Sequence, residues 1–224
     1  MAAKDPARQP LSRQRILDAA LAMVDREGID ALSMRKLAGE LHVEPMSLYR
    51  YADGKEGVFE GLVELVFAEA HAVLDADPEG ESPSGRGEIH RIGLALYRVA
   101  VSHPHILPLL TGRLITVPLV RRPMSVLRLP ERVLTRLRAE GVDDRTAVDT
   151  YRAFSAWVLG YVIVDMRAVV DEPDEDDPAY RYGLHQLHRD FPRLRELAPI
   201  LAEGGGERQF LSGLDALLDG LGIP

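Results

Sequence analysis

The chain has 224 residues, 46% of them hydrophobic and 28% charged, enough to bury a core in one large domain or two small ones, which excludes a disordered tail. It carries no Cys, which excludes disulfide scaffolds and cysteine-ligated zinc or iron–sulfur sites. A formal charge of −8 weighs against a polyanion binder, yet residues 1–60 hold nine Lys/Arg against ten Asp/Glu, so the acidity sits mainly beyond them. The charge-free apolar stretch 153–164 runs 12 residues where a bilayer span needs roughly 20. The opening MAAKDPARQP has no apolar core with a small-residue cleavage site. The expectation is a cytoplasmic protein without membrane association.

Apolar residues recur at the helical period almost throughout and no run alternates as a strand would, so the fold class is all-α. A first helix is predicted over 12–27, with Ser12 as N-cap, Ile16, Leu17, Ala20, Leu21, Met23 and Val24 as its buried stripe, and Gly28 as its stop. A second starts after Ser33, a third occupies 45–51 and a long fourth spans 54–74. These four form one small unit. Residues 75–88, DADPEGESPSGRGE, read as a flexible connection. Further helices are expected at 89–101, 104–114, 123–140, 144–170, 180–189 and 207–221, separated by Pro, Gly or acidic breakers. The acidic run Asp171, Glu172, Asp174, Glu175, Asp176 and Asp177 reads as a solvated loop, with a calcium site as its alternative, against which stands the lack of the fixed spacing and closing Glu of a calcium loop.

The segment SMRKLAGELHVEPMSLYRY, residues 33–51, is the most informative. Leu37, Ala38 and Leu41 share one helical face, His42-Val43-Glu44 allows only a tight turn, and Leu48 with Tyr51 supplies the apolar face of the next helix, which is helix-turn-helix spacing. Ala38 is small where two crossing helices approach, and Val43 fills the gap below the turn. The left-handed position of such a turn is usually Gly; here it is His42, which tolerates positive φ better than most non-glycines. Basic residues cluster around the unit at Arg8, Arg13 and Arg15, at Arg35 and Lys36, and at Arg50 and Lys55, a spacing able to track a phosphate backbone.

Gly28-Ile29 and Ala31-Leu32-Ser33 ahead of this unit, and Leu48-Tyr49-Arg50-Tyr51 followed by Lys55 behind it, resemble the tetracycline-repressor (TetR) family of bacterial transcriptional regulators over about residues 12–65. Ser102-His103, Ala139-Glu140-Gly141-Val142, Leu159-Gly160 and Phe210-Leu211-Ser212-Gly213-Leu214 resemble the regulatory domain of the tetracycline-repressor branch, with extra residues around 114–123. The resemblance implies a helix-turn-helix domain at 1–54 and a helical regulatory and dimerisation domain at 55–224. It implies a homodimer that places each third helix in the major groove of half an inverted-repeat operator, and a repressor released by a small, largely apolar effector. Carried over residue by residue, Ser33, Met34 and Arg35 open the second helix against DNA, and Pro45, Met46 and Ser47 begin the recognition helix. Tyr49 and Lys55 match phosphate contacts, Arg50 reaches a base or phosphate, and Tyr51 follows, with core packing as its alternative.

The branch's metal-binding histidine and glutamate correspond here to Leu110 and Val164, so no metal or other cofactor is implied. Other pocket positions map to His71, Ile92, Leu96, Arg113 and Val133, an apolar lining with His71 and Arg113 as polar handles. Phe154, Trp157 and Tyr161 share a helix face; Trp157 and Tyr161 are pocket candidates, with a core or dimer role as the alternative. Val158, Tyr161, Val162 and Val164, with Phe210, Leu211, Leu214, Leu217, Leu218 and Leu221, read as a four-helix interface between two copies, or else as an intrachain core. Two further readings stay open. One is a regulator whose C-terminal half only dimerises; the other is a metal-dependent enzyme using His103 and His105, or His185 and His188 one turn apart. No Gly-rich phosphate loop, G-x-S-x-G elbow or H-E-x-x-H motif accompanies those histidines.

Overall fold

A computed structural model describes residues 10–76, 84–166, 189–201 and 203–224. In chain order the helices are α1 (Arg13–Glu27), α2 (Met34–Glu40), α3 (Pro45–Leu48), α4 (Gly54–Asp75), α5 (Gly85–Ser102), α6 (Leu107–Thr116), α7 (Met124–Ala139), α8 (Asp144–Asp165), α9 (Pro192–Leu201) and α10 (Gly206–Gly220). No strand occurs among the described residues, so the all-α class is what forms.

Local chemistry sets the ends of the first helices. Ser12 Oγ accepts from the Arg15 N–H at 3.2 Å, and Gly28, at φ 81°, donates to the Val24 carbonyl and stops α1. The six residues of the expected stripe are all buried. Ser33 caps α2 by accepting from the Lys36 N–H at 3.2 Å. His42 follows at φ 55°, with its own N–H on the Gly39 carbonyl and the Val43 N–H on the Ala38 carbonyl. That pair of bonds is a Schellman ending, which requires one left-handed residue, and Val43 packs back onto the core beneath it. The third helix is shorter than the expected 45–51. The Leu48 carbonyl takes both the Tyr51 and the Ala52 N–H, which tightens the chain into a turn before α4 begins.

α4 belongs to both halves of the molecule. Near its start it crosses α1 at Gly61, where a β-carbon would collide with Leu17, and further on it packs against α5 and α7. The second half is built on α5, α7, α8 and α10 around Ile89, Ile92, Val133, Leu137, Phe210, Leu214 and Leu218, all with side chains at or below 1% exposure. Phe210, Leu214 and Leu218 therefore pack within the chain, which corrects their assignment to a surface between copies. Gly213 is required there, because a β-carbon would run into the rigid Trp157 indole.

Several boundaries differ from the sequence reading. α5 starts at Gly85, its Ser84 cap accepting from the Gly87 N–H at 3.0 Å, so the end of the expected connection is helical. Residues 77–83 of that connection, the end of the helix expected to 170, the acidic run, most of the helix expected at 180–189, and His185 and His188 lie outside the described residues, as does Arg8. Pro104–Ile106 form a 3₁₀ turn ahead of α6, and the extra residues near 114–123 hold a second 3₁₀ turn, Leu119–Arg121. α9 was not expected at all; Phe191, Leu194, Leu197, Ile200 and Leu201 on or beside it are exposed.

Candidate nucleic-acid interface and ligand chamber

On α3 and its trailing turn, Met46, Tyr49 and Arg50 fall at i, i+3 and i+4, which puts them on one side. Met46 is 75% and Tyr49 51% exposed, while Leu48 on the opposite side is fully buried. Arg35 and Tyr51 are exposed too, so Tyr51 is not a core residue. Among the described residues neither Arg35 nor Arg50 makes an ion pair, whereas Lys36 is drawn to Glu27 and Arg26 reaches Glu40 at 3.1 Å. Lys55 lies half-buried with its Nζ 5.1 Å from the centre of the Phe59 ring. Pro45 opens α3, Ser47 and Met34 are half-buried, and the Ser33 hydroxyl is spent on its capping bond.

Between α4, α5, α6, α7 and α8 the packing leaves a cavity of about 380 Å³, lined by Phe67, Leu96, Leu110, Leu129, Phe154 and Val162 among other apolar side chains. A volume of this order suits a small organic molecule. The polar groups on its wall are few: Arg122, Tyr151, Arg152 and Ser155. Ser155 Oγ donates to the Tyr151 carbonyl at 2.8 Å, and exposed Arg152 lies 3.6 Å from Asp149. Arg122 is half-buried, its Nε–H donating to the Val117 carbonyl at 3.1 Å. A smaller cleft of about 180 Å³ lies alongside, between α4 and the α6–α7 connection, and Arg122 and Val126 line both spaces.

Of the expected pocket residues, Leu96 and Leu110 line the cavity and the other six sit elsewhere. Ile92 and Val133 are fully buried in the packed core behind it. His71 donates from Nε2 to the Ser125 carbonyl at 2.8 Å and holds α4 to α7. Arg113 lies in the side cleft, paired to Glu56 and, at 3.6 Å, to Glu60 on α4. Trp157 and Tyr161 face α10, donating to the Phe210 and Gly206 carbonyls at 3.3 and 3.0 Å. The helical repeat explains the split: 154, 158 and 162 form the cavity stripe of α8, and 157 and 161 form the next stripe round. With Tyr97 and Phe210 they make an aromatic seam, the Tyr97 and Phe210 rings stacked at 5.2 Å. Burial raises the Tyr97 and Tyr161 hydroxyls above the ordinary phenol range, and the Tyr97 bond to Asp165 at 2.7 Å adds to the first. The sequence reading missed Phe67, Arg122 and Tyr151; for Phe67 and Tyr151 the signal was a second apolar stripe beside the one it used.

Val164 is 76% exposed on the outside of α8 while Leu110 faces the cavity, so these two positions do not share a site. Among the described residues no group of three or more His, Asp or Glu side chains is placed to hold a metal ion. His103 does meet two carboxylates, Asp25 of α1 at 2.8 Å from Nδ1 and Glu69 of α4 at 3.0 Å from Nε2, but from opposite sides of the ring, so they cannot converge on one ion. His105 Nδ1 donates to the Asp25 carbonyl at 3.0 Å, tying the same junction.

Two family models match successive parts of the chain. Residues 16–62 match the model of bacterial regulatory proteins of the tetR family, and residues 78–223 match the tetracyclin repressor-like C-terminal domain. The HTH-type transcriptional repressor DrrR1 of Streptomyces coeruleorubidus is 32% identical over 158 residues, 69% of this chain but only 55% of that protein. The class D tetracycline repressor protein of Escherichia coli is 26% identical over 219 residues, covering 95% of this chain and 90% of its own. The crystal structure of the Streptomyces coelicolor TetR family protein ActR in complex with actinorhodin superposes with a TM-score of 0.68 at 26% identity, over 95% of this chain and 97% of ActR. Among the described residues no helix is long and apolar enough to cross a membrane. The chain belongs to the tetR family and is a DNA-binding, helix-turn-helix transcriptional regulator.

Proposed function

We propose that this protein is a cytoplasmic repressor that binds an inverted-repeat operator as a homodimer and is released from it by a small, largely apolar effector. The observation that carries the reading is the roughly 380 Å³ apolar cavity whose wall includes α4, the helix that also supports the reading head. The head spans residues 1–54, with α3 in the major groove. Arg35, Tyr49 and Lys55 serve phosphates and Arg50 a base edge or phosphate, with Ser33, Met34, Pro45, Met46, Ser47 and Tyr51 around them. The outer sides of α8 and α10 supply the dimer surface. Ala156, Gly160 and Val164 on one, and Ser212, Ala216 and Gly220 on the other, are exposed at every fourth residue, small enough for a second pair of helices to come close. An effector in the cavity displaces α6, and Arg113 carries that movement to Glu56 and Glu60 near the start of α4. Release needs a coupling of about 1–3 kcal/mol.

The test is fluorescence anisotropy of the protein on the promoter DNA beside its own gene, with sedimentation velocity at micromolar concentration. Arg35→Ala and Lys55→Ala are expected to weaken operator and nonspecific DNA alike and to lower the salt slope by about one each. Arg50→Ala is expected to relax preference at one position of each half-site by about 1–3 kcal/mol. Leu96→Arg is expected to abolish induction and leave operator binding intact. A monomer at that concentration, or unchanged DNA affinity in all three arginine and lysine variants, refutes the proposal.

A further inference from the structure

We infer that the effector is a neutral alcohol or phenol, its apolar body in the cavity and its hydroxyl between the side-chain oxygens of Tyr151 and Ser155. The inference rests on the effector reading above and adds what that reading leaves open, the polar group of the ligand and the residues that select it. Of the three tyrosines described in the body, Tyr97 bonds to Asp165 and Tyr161 to the Gly206 carbonyl, whereas the Tyr151 hydroxyl makes no hydrogen bond among the described residues. Tyr151 stands on the cavity wall. So does Ser155, four residues further along α8 and therefore on the same side of that helix.

The two side chains differ in what they can still bond, and the difference specifies the guest. Ser155 spends its one proton on the Tyr151 carbonyl at 2.8 Å, so its oxygen can only accept. The Tyr151 phenol has both its proton and its lone pairs to offer. A ligand hydroxyl matches the pair: its oxygen accepts from Tyr151 and its proton goes to Ser155 Oγ. An ether or ketone matches Tyr151 alone, and a carboxylate sets its charge against the lone pairs of Ser155. A guest that fills the cavity excludes water from both oxygens, so each bond that it fails to supply is a cost, and that cost sets selectivity. Both arginines of the wall already face acceptors of this chain: Arg152 is exposed and 3.6 Å from Asp149, and the Arg122 Nε–H lies on the Val117 carbonyl. The remaining wall is apolar, with Phe67, Leu96, Leu110 and Phe154 among its side chains, which leaves the polar group of a guest one place to go.

The experiment is calorimetry on the full chain near neutral pH with two sets of probes, 2-naphthol and 9-phenanthrol, each beside its methyl ether, the analogue with methyl in place of hydroxyl, and the corresponding carboxylate. In at least one set Tyr151→Phe is expected to weaken the phenol and its ether by about three- to tenfold, the range of a neutral hydrogen bond. Ser155→Ala is expected to weaken the phenol by a similar factor and to leave the ether as it was. The methyl analogue is expected to bind both variants as it binds the native chain, which also shows that they are folded, and the carboxylate to bind more weakly than the phenol. Unchanged phenol affinity in either variant, weakening of the methyl analogue as large as that of the phenol, equal weakening of phenol and ether by Ser155→Ala, or a carboxylate that binds tighter than its phenol overturns the inference while the apolar cavity reading stands. Binding of no probe at all overturns both.

Discussion

The reading head and the regulatory body are made of the same amphipathic helices, but they use their apolar residues differently. In the head the large apolar residues pointing inward meet one another: Ile16, Met23, Leu37 and Leu48 have at most 1% of their surface exposed. On the function proposed above, what the head offers DNA is carried outside, on the exposed Met46, Tyr49, Arg50 and Arg35. The body is as well packed between α5 and α10, yet between α6, α7 and α8 its apolar side chains stop short and leave about 380 Å³ unfilled. Unfilled apolar volume forgoes contact energy that full packing would supply. On the function proposed above, the head can be rigid because DNA is met at its surface, whereas the body would receive its ligand inside and must keep space for it.

The sharpest way to break this contrast is to change volume in each region. Leu48→Ala in the head removes a fully buried side chain with nowhere for neighbours to collapse, and is expected to cost about 2–5 kcal/mol in urea unfolding. Ala100→Leu on the cavity wall adds methylenes to an existing space, and is expected to change stability by less than about 1 kcal/mol while blocking effector binding. A large loss from Ala100→Leu would mean that the body is packed as tightly as the head.

A smaller effect is expected at the joint between the two. His103 bridges Asp25 of the head and Glu69 of α4, and its ring is largely buried. His103→Ala leaves two carboxylates facing each other, and one oxygen of Asp25 is already buried without a hydrogen-bond partner. The expected cost is about 1–3 kcal/mol in urea unfolding, with a weaker effect of effector on operator affinity. Unchanged stability together with unchanged induction would show that the joint is carried by α4 alone.

How much of this the sequence shows also divides by region. The head is legible because its determinants are local: Ser12 and Ser33 cap helices that start beside them, and His42 takes a left-handed conformation that a three-residue turn demands. The length of α3 was misread because its end is set by the double use of the Leu48 carbonyl, which no side-chain pattern announces. In the body the stripe Phe210, Leu214 and Leu218 was visible, but amphipathicity says only that a face is buried and not whether the partner is the same chain. The cavity is harder still. It is an absence between five helices, and Leu96 or Leu110 on its wall has the same pattern as Ile92 or Val133 in the solid core. α9 escaped notice because Pro192 and Pro199 break its apolar pattern at the points where helices usually stop.

The smallest expected effect is a difference in pH response between the regions. In the body, hydrogen bonds from Arg86 hold the Asp215 carboxyl below its ordinary range, and those from Arg98 do the same for Glu207. A depressed carboxyl contributes stability above its unfolded value, near pH 4, and loses it as pH falls through the folded value. The head has a matching acid limb in Glu27, lowered by its bond to Lys36. Tyr97 and Tyr161 give the body an alkaline limb as well. Both are raised, chiefly by burial, so their contribution is complete below about pH 10 and falls as pH rises toward their folded values. The only Trp, Trp157, stands in this seam with its ring 5.4 Å from that of Tyr161, so its fluorescence reports the body alone. Above about pH 10 the Trp157 signal is expected to change before helical content measured by circular dichroism falls, and Tyr97→Phe with Tyr161→Phe is expected to move that change to higher pH. Loss of both signals together in the native chain, or an unmoved transition in the double variant, would place the alkaline limb outside the aromatic seam.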